Sequence, residues 1–304
     1  MIKNFQDLLQ KAREGQPVVV AIAAAGDEAA LSAILDARMQ GIAKGILFGG
    51  AEKITKMIKE IGGGQPADLE IRDVADDAKA AQAAVASVRN GEAQMLLKGK
   101  IKTAHLLKAV LDADAGLRST HLMSDVFVLE DPERIDNRLV MITDGGVTLK
   151  PDLKQKVEII ENAVAVARAL GNTNPKVALL SAVETVNPSL PSTQDAAILT
   201  KMNQRGQIKG CIIDGPLALD NALSREAAEI KGIVSPVAGA AEILVCPDIE
   251  SANMLAKSTT YWARFRLGHV IMGSTAPVLI PSRADSADSK LLSIALGKLV
   301  CQSR

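Results

Sequence analysis

The chain has 304 residues, 48% of them hydrophobic and 2% aromatic, with 35 basic residues set against 35 acidic ones. That length favours two domains, the balanced charge gives no global field toward DNA or an anionic membrane, and the scarcity of rings removes base-stacking platforms. No uninterrupted apolar stretch approaches the roughly 18 residues of a membrane span, and Asn4 and Asp7 interrupt the leading segment where a signal peptide needs continuous apolar residues; the expectation is a cytoplasmic protein without membrane or nucleic-acid partners.

Short apolar runs recur along the chain: Val18–Ala23, Gly45–Phe48, Met95–Leu97, Leu139–Ile142, Val177–Leu180, Cys211–Ile213, Ile243–Val245 and Val278–Ile280. Each reads as a buried strand, and helical patterns fill most of the intervals. The Ile61-Gly62-Gly63-Gly64-Gln65-Pro66 stretch reads as a helix end and loop, and the Ala-rich segment Asp77–Val88 as a helix with a small-residue packing face. Asp144 to Pro151, rich in Gly, is the best candidate for a crossing between domains. Asp152 to Leu170 carries Leu153, Val157, Ile160, Val164, Ala167 and Leu170 at helical spacing, with Pro151 before it and Gly171 after it. Glu184–Pro188, followed by Ser189, Ser192 and Thr193, forms a hydroxyl- and amide-rich loop ahead of a helix at Asp195–Met202. Such a loop caps the helix or binds phosphate or amide groups. Asp214-Gly215-Pro216 is either a plain βα turn or a pair of carboxylates, with Asp220, facing a cleft.

The most informative segment comes late. The run Pro277–Pro281 opens into Ser282-Arg283-Ala284-Asp285 and then a helical pattern from Lys290 to Leu296. A strand leading to a Ser-Arg turn and a helix N-terminus makes a seat for an anion, because the first helical amides lack partners and the helix dipole is positive there. Phosphate fits that seat. Several other strands also end in polar or Gly-rich residues, and in open α/β sheets ligands bind at those carboxyl ends. The alternation predicts an α/β fold of two doubly wound domains with largely parallel sheets and an interdomain cleft.

Other chemistries find less support. There is no dinucleotide-binding glycine fingerprint and no P-loop. Cys211, Cys246 and Cys301 are odd in number and widely spaced, which argues against disulfides or a zinc knot. Cys211 and Cys246 read as inert core thiols. His105, His121 and His269 lack metal-ligand spacing, so no metal is expected.

Taken together, several segments resemble the phosphate acetyl/butyryltransferase family, especially its shorter butyryltransferase branch. They are Leu97–Thr103, Thr143–Val147 with Pro151–Leu153, Ile160–Ala163, Ala182–Pro188, Asp214–Asp220, Val237–Asn253 with Lys257, and Ser282-Arg283. The resemblance implies a cytoplasmic acyltransferase that interconverts acyl-CoA plus inorganic phosphate with acyl phosphate plus CoA. Coenzyme A and phosphate would be substrates, with no tightly bound cofactor. It also implies an isopropylmalate dehydrogenase-like scaffold: a first domain of residues 1–145 plus 268–304 carrying the Ser-Arg turn, and a second of residues 146–267. Exposed faces of the second domain could pair, and a two-fold homo-oligomer is the default expectation. Ser282, Arg283, Thr103 and Asp288 then become the catalytic candidates. Lys98, Asp144, Glu184, Asn187, Asp214, Lys257, Asp285 and Ser289 become substrate-binding ones. Ser289 stands where the acetyltransferase branch carries an aspartate proposed as a general base. Two rivals remain at this point: a non-catalytic CoA-binding paralogue, motivated by Ser289, and a metal- and nicotinamide-dependent dehydrogenase, for which no carboxylate cluster or nucleotide loop is evident.

Overall fold

A computed structural model describes residues 1–62, 69–132 and 138–303. In chain order the elements are α1 (Phe5–Ala12), β1 (Val18–Ala23), α2 (Glu28–Met39), β2 (Ala43–Gly49), α3 (Ala51–Glu60), β3 (Leu69–Asp73), α4 (Asp77–Arg89), β4 (Met95–Lys98), α5 (Thr103–Val110), β5 (Ser124–Glu130) and β6 (Leu139–Thr143). There follow α6 (Leu153–Ala169), β7 (Lys176–Leu180), α7 (Pro191–Gln204), β8 (Ile212–Leu217), α8 (Leu219–Leu223), α9 (Arg225–Ile230), β9 (Ile243–Val245), α10 (Ile249–Tyr261), β10 (Arg266–Met272), β11 (Val278–Leu279) and α11 (Ala287–Ser303). Every apolar run named above forms or overlaps a strand. Most of the glycine-rich stretch after Gly62 lies outside the described residues.

The chain divides into two compact units, Phe5–His121 with Gly268–Arg304, and Leu122–Leu267 with Met1–Asn4. In the first unit the strands lie in the order β3-β2-β1-β4-β11-β10. All the neighbouring pairs run parallel except β10 with β11. β1 is Val-Val-Val-Ala-Ile-Ala and almost wholly buried, as a strand covered on both faces must be. α11 packs on α1, α2, β4 and β11, and α4 packs on β1, β2 and β4. Every α11 residue from Lys290 to Val300 is buried. A helix enclosed on all sides is core, so the returning C-terminal segment is integral to this unit.

The second unit orders its strands β5-β6-β9-β7-β8, antiparallel between β5 and β6 and parallel in the other pairs. Its core gathers Leu129, Val140, Ile142, Ala178 and Leu244. Residues 122–145 cluster here, whereas the sequence reading draws the line after residue 145. The reason is the ladder: β6 hydrogen-bonds to both β5 and β9, tying that stretch to residues beyond 146. α6 forms as its pattern predicts, with Asp152 and Gln155 closing a reciprocal N-terminal cap. Gly171 takes φ +85° just past its end, where a side chain would clash with the backbone.

Candidate active site

In the first unit β1, β4 and β11 are parallel neighbours, so their carboxyl ends and following loops lie side by side. After β1 the chain turns at Ala24, in the left-handed region at φ +53°, and reaches Asp27. That carboxylate caps α2 by accepting from the Ala30 amide at 2.7 Å. After β4 the Gly99 and Lys100 amides donate to the Ala23 and Ala24 carbonyls at 2.9 and 2.8 Å. A Cβ on Gly99 would run into those same two oxygens, so glycine is required for the two loops to touch.

The loop after β11 closes on itself. The Ser282 amide donates to Asp285 Oδ2 at 2.8 Å and the Asp285 amide to the Ser282 carbonyl at 3.1 Å. This leaves Arg283 exposed at the tip of the turn. Lys290, in the first turns of α11 and 2% exposed, contacts Asp27 Oδ1 at 3.3 Å and donates to the Asp285 carbonyl at 3.2 Å. One buried ammonium thus links the loops after β1 and β11.

Between those loops stands Lys98, 3% exposed, at the end of β4. No carboxylate lies at bonding distance from it among the described residues. Burial pushes its pKa below the ordinary lysine value; Asp27 and Asp285 oppose the shift, and Lys290 and Arg283 reinforce it. Three cationic side chains, Lys98, Lys290 and Arg283, thus act on one another here with two carboxylates, Asp27 and Asp285, near them, an excess of positive charge that suits an anion.

The other sequence-derived candidates fall into three settings. Thr103 is exposed as the first residue of α5, whose N-cap Lys102 makes no side-chain capping bond. Asp288 is exposed in the first turn of α11. Ser289 donates its amide to Ser286 Oγ at 3.2 Å, and its carbonyl accepts from Ser293 Oγ at 2.8 Å.

The remaining five lie in the second unit, where the carboxylates are engaged by the protein. Asp144 accepts the amides of Asp125, Gly146 and Val147 on Oδ1 and that of Thr148 on Oδ2, at 2.8 to 3.1 Å. Burial nonetheless pushes its carboxyl above the ordinary value. Glu184 accepts from Asn221 Nδ2 and Lys231 Nζ, each at 3.2 Å. Asp214 accepts from the Gly215 amide, and Asn187 Oδ1 from the Ser189 amide. Lys257 is exposed on α10.

Sequence reasoning passed over Asp27 and Lys290. A signal for each was present: Asp27 follows the first buried strand at an N-cap position, and Lys290 is a charge opening an otherwise apolar helix.

Burial pushes the Cys211 thiol up to about 11 and the Cys246 thiol up to about 12, with Asp248 adding to the latter. Neither supplies a useful thiolate at neutral pH. Cys211→Ala and Cys246→Ala are therefore expected to change turnover less than about twofold. A loss of a hundredfold in a folded variant would restore covalent catalysis. Among the described residues, no group of three or more His, Cys, Asp or Glu side chains is placed to hold a metal ion, and no helix is long and apolar enough to cross a membrane.

Comparison with known proteins gives a consistent result. A family model described as phosphate acetyl/butaryl transferase matches residues 69–297. The phosphate butyryltransferase of Clostridium beijerinckii is 48% identical over 99% of this chain and 98% of its own length. The phosphate acetyltransferase of Thermotoga maritima is 45% identical over 96% and 98%. The crystal structure of a branched-chain phosphotransacylase from Enterococcus faecalis superposes with a TM-score of 0.82 at 33% identity, covering 93% of this chain and 99% of that one. The match of the family model across β3 to α11, together with full-length relatives at this identity, establishes that the chain belongs to the phosphate acetyl/butyryltransferase family.

Proposed function

We propose that this phosphate acyltransferase binds inorganic phosphate at the carboxyl ends of β1, β4 and β11 and directs it onto a short-chain acyl-CoA, butyryl or acetyl, in a ternary complex. The observation that carries this reading is the buried Lys98 ammonium, left without a carboxylate at bonding distance and lying beside Arg283 and Lys290. An anion there neutralises charge that the protein leaves uncompensated.

Arg283 offers a two-pronged grip on phosphate, and Ser282 and Thr103 offer hydroxyls. A phosphate oxygen attacks the thioester carbonyl, a C–O bond forms, and the tetrahedral oxyanion collapses with cleavage of the C–S bond. The electron pair leaves on the CoA sulfur as thiolate, whose ordinary pKa of about 8.5 makes it a competent leaving group. Near neutral pH inorganic phosphate is a mixture of mono- and dianion and already carries a nucleophilic anionic oxygen, so positioning and charge neutralisation matter more than a strong base. A carboxylate at this turn, Asp288 or Asp285, orients phosphate or takes its last proton, with the Ser289 hydroxyl nearby in sequence. By resemblance, Asp144, Glu184, Asn187, Asp214 and Lys257 serve acyl-CoA, the first through its loop. The reading needs no tightly bound cofactor and describes a cytoplasmic homo-oligomer.

The test is release of CoA thiol from acetyl-, propionyl-, butyryl- and isobutyryl-CoA, with and without phosphate. Release that requires phosphate is expected, and the four rates rank the chains. Release independent of phosphate would overturn the reading. Failure to turn over any thioester while still binding CoA would favour the non-catalytic alternative.

Lys98 adds a pH signature. Its charge holds phosphate below its pKa and is lost above it, and that pKa is lowered by burial. The phosphate KM should thus begin to rise at a pH below the ordinary lysine range of about 10.4. In Lys98→Arg, which stays charged, the rise should move to higher pH or vanish. A KM profile identical in both proteins would remove Lys98 from the phosphate seat.

A further inference from the structure

An acyl phosphate is a mixed anhydride, and it acylates amines as well as thiols. On the reading above, each turnover places such a compound with its phosphoryl group at the carboxyl ends of β1, β4 and β11, and the inference drawn here rests on that reading. The amines in that region differ in kind. Lys290 contacts Asp27 Oδ1 at 3.3 Å and donates to the Asp285 carbonyl at 3.2 Å, so its nitrogen is engaged and its charge has a counter-charge. Lys100 and Lys102 are exposed, and water keeps them protonated. Lys98 is 3% exposed and has no carboxylate at bonding distance among the described residues.

A second lysine shows that burial by itself does not single out Lys98. Lys298 of α11 is fully buried, and its Nζ has no hydrogen-bond partner among the described residues. Burial lowers its pKa too, with no charged group contributing. It stands eight residues beyond Lys290, about 12 Å along the helix at the α-helical rise, and it is remote from the cluster of Lys98, Lys290 and Arg283.

We infer that Lys98 is a self-acylation site: when acyl phosphate occupies the seat and no CoA thiolate is present to receive the acyl group, the Lys98 amine receives it and the enzyme is inactivated by its own product. The Nζ lone pair attacks the acyl carbon and an N–C bond forms. The bond from that carbon to the bridging phosphate oxygen breaks, its electron pair stays on the oxygen, and the surplus amine proton passes to the departing phosphate. The products are an N-acyl-lysine and inorganic phosphate, with no further reactant. Because the acyl carbon is one bond from the bridging oxygen, an amine that touches the phosphoryl group is within reach of it, and proximity stands in for concentration. The neutral amine is the reactive form. Burial favours it, Lys290 and Arg283 add to that, and Asp27 and Asp285 oppose it. The resulting amide carries no charge, so the seat loses the ammonium that holds phosphate.

The test is incubation of the full chain with acetyl phosphate or butyryl phosphate, without CoA, followed by peptide mapping by mass spectrometry and by assay of residual thiol release. Expected is acylation of Lys98 about tenfold or more faster than of Lys100, Lys102 and Lys298, with activity lost in proportion and with saturating inorganic phosphate suppressing both. Acylation of Lys98 no faster than of the exposed lysines, or undiminished by inorganic phosphate, overturns the inference. So does equal acylation of Lys298, which would make burial rather than the seat the cause. Lys98→Arg should keep through the same incubation whatever rate it starts with, and decay at the wild-type rate would place the damaging acyl group elsewhere. The wild-type map decides the matter even where that variant fails to fold. Untreated enzyme assayed with and without phosphate separates the two readings: where release needs phosphate and Lys98 stays unmodified, this inference alone fails, and where release is independent of phosphate, the seat fails and the inference with it.

Discussion

Arg283→Ala is expected to lower kcat/KM for phosphate by about 10²–10³, the usual cost of removing one charged donor from a developing-charge site, and to raise the phosphate KM as well as lower kcat. The side chain is exposed and its turn is closed by Ser282 and Asp285 rather than by its own guanidinium, so folding should be untouched and the loss should be one of function. Arg283→Lys keeps the charge and loses the fork, and should fall between the two. Steady-state kinetics with phosphate as the varied substrate, at fixed saturating acyl-CoA, read both parameters. Wild-type values in Arg283→Ala would remove the residue from the site.

The largest effect on stability should come from Asp27. Its carboxylate is the only one at ion-pair distance from the buried Lys290 among the described residues, and removing one member of such a pair strands the other charge at a cost of about 3–5 kcal/mol. Asp27→Ala also loses a helix cap worth about 1 kcal/mol. Asp27→Asn separates the two contributions, since its side-chain oxygen can still accept from the Ala30 amide but carries no charge. Adding Lys290→Met to Asp27→Asn should recover much of the loss, which makes the pair non-additive. Urea midpoints at constant m-value give the comparison. An Asp27→Asn protein as stable as wild type would show that Lys290 needs no counter-charge. Asp27 is also the strongest influence holding the Lys98 charge in place. Its neutralisation should move the rise in phosphate KM to still lower pH.

The parts of this fold legible in the sequence are those where burial is uniform. β1, β4, β6 and β9 are enclosed by protein and read as unbroken apolar runs, and α6 carries its own cap and terminating glycine. β3 escaped because its Leu-Glu-Ile-Arg-Asp sequence contains no fully buried position. β10 escaped because Gly268 and His269 interrupt it, and β5 because Ser124 and Asp125 open it, although both polar residues are buried. In the site, the Ser282-Arg283 turn was visible as a strand, a polar turn and a helix start in succession. The Asp27–Lys290 pair was not, because its members lie near opposite ends of the chain and meet only when β11 is laid beside β4 and β1. Local pattern reports what neighbours in sequence do, and a link between distant loops has no local pattern.

The discontinuity of the first unit bears on how the protein is made. The segment from Leu122 to Leu267 is continuous apart from four residues at the start of the chain, so it can collapse on its own core as it leaves the ribosome. The unit with the Ser282-Arg283 turn cannot do so: most of β10 and all of β11 and α11 emerge only after that segment. Until they arrive, β4 has an open edge where β11 will lie, and the apolar face that α11 will cover is exposed. During synthesis this half of the molecule is therefore the one exposed to aggregation and to chaperones, and the proposed seat for phosphate is among the last features to form.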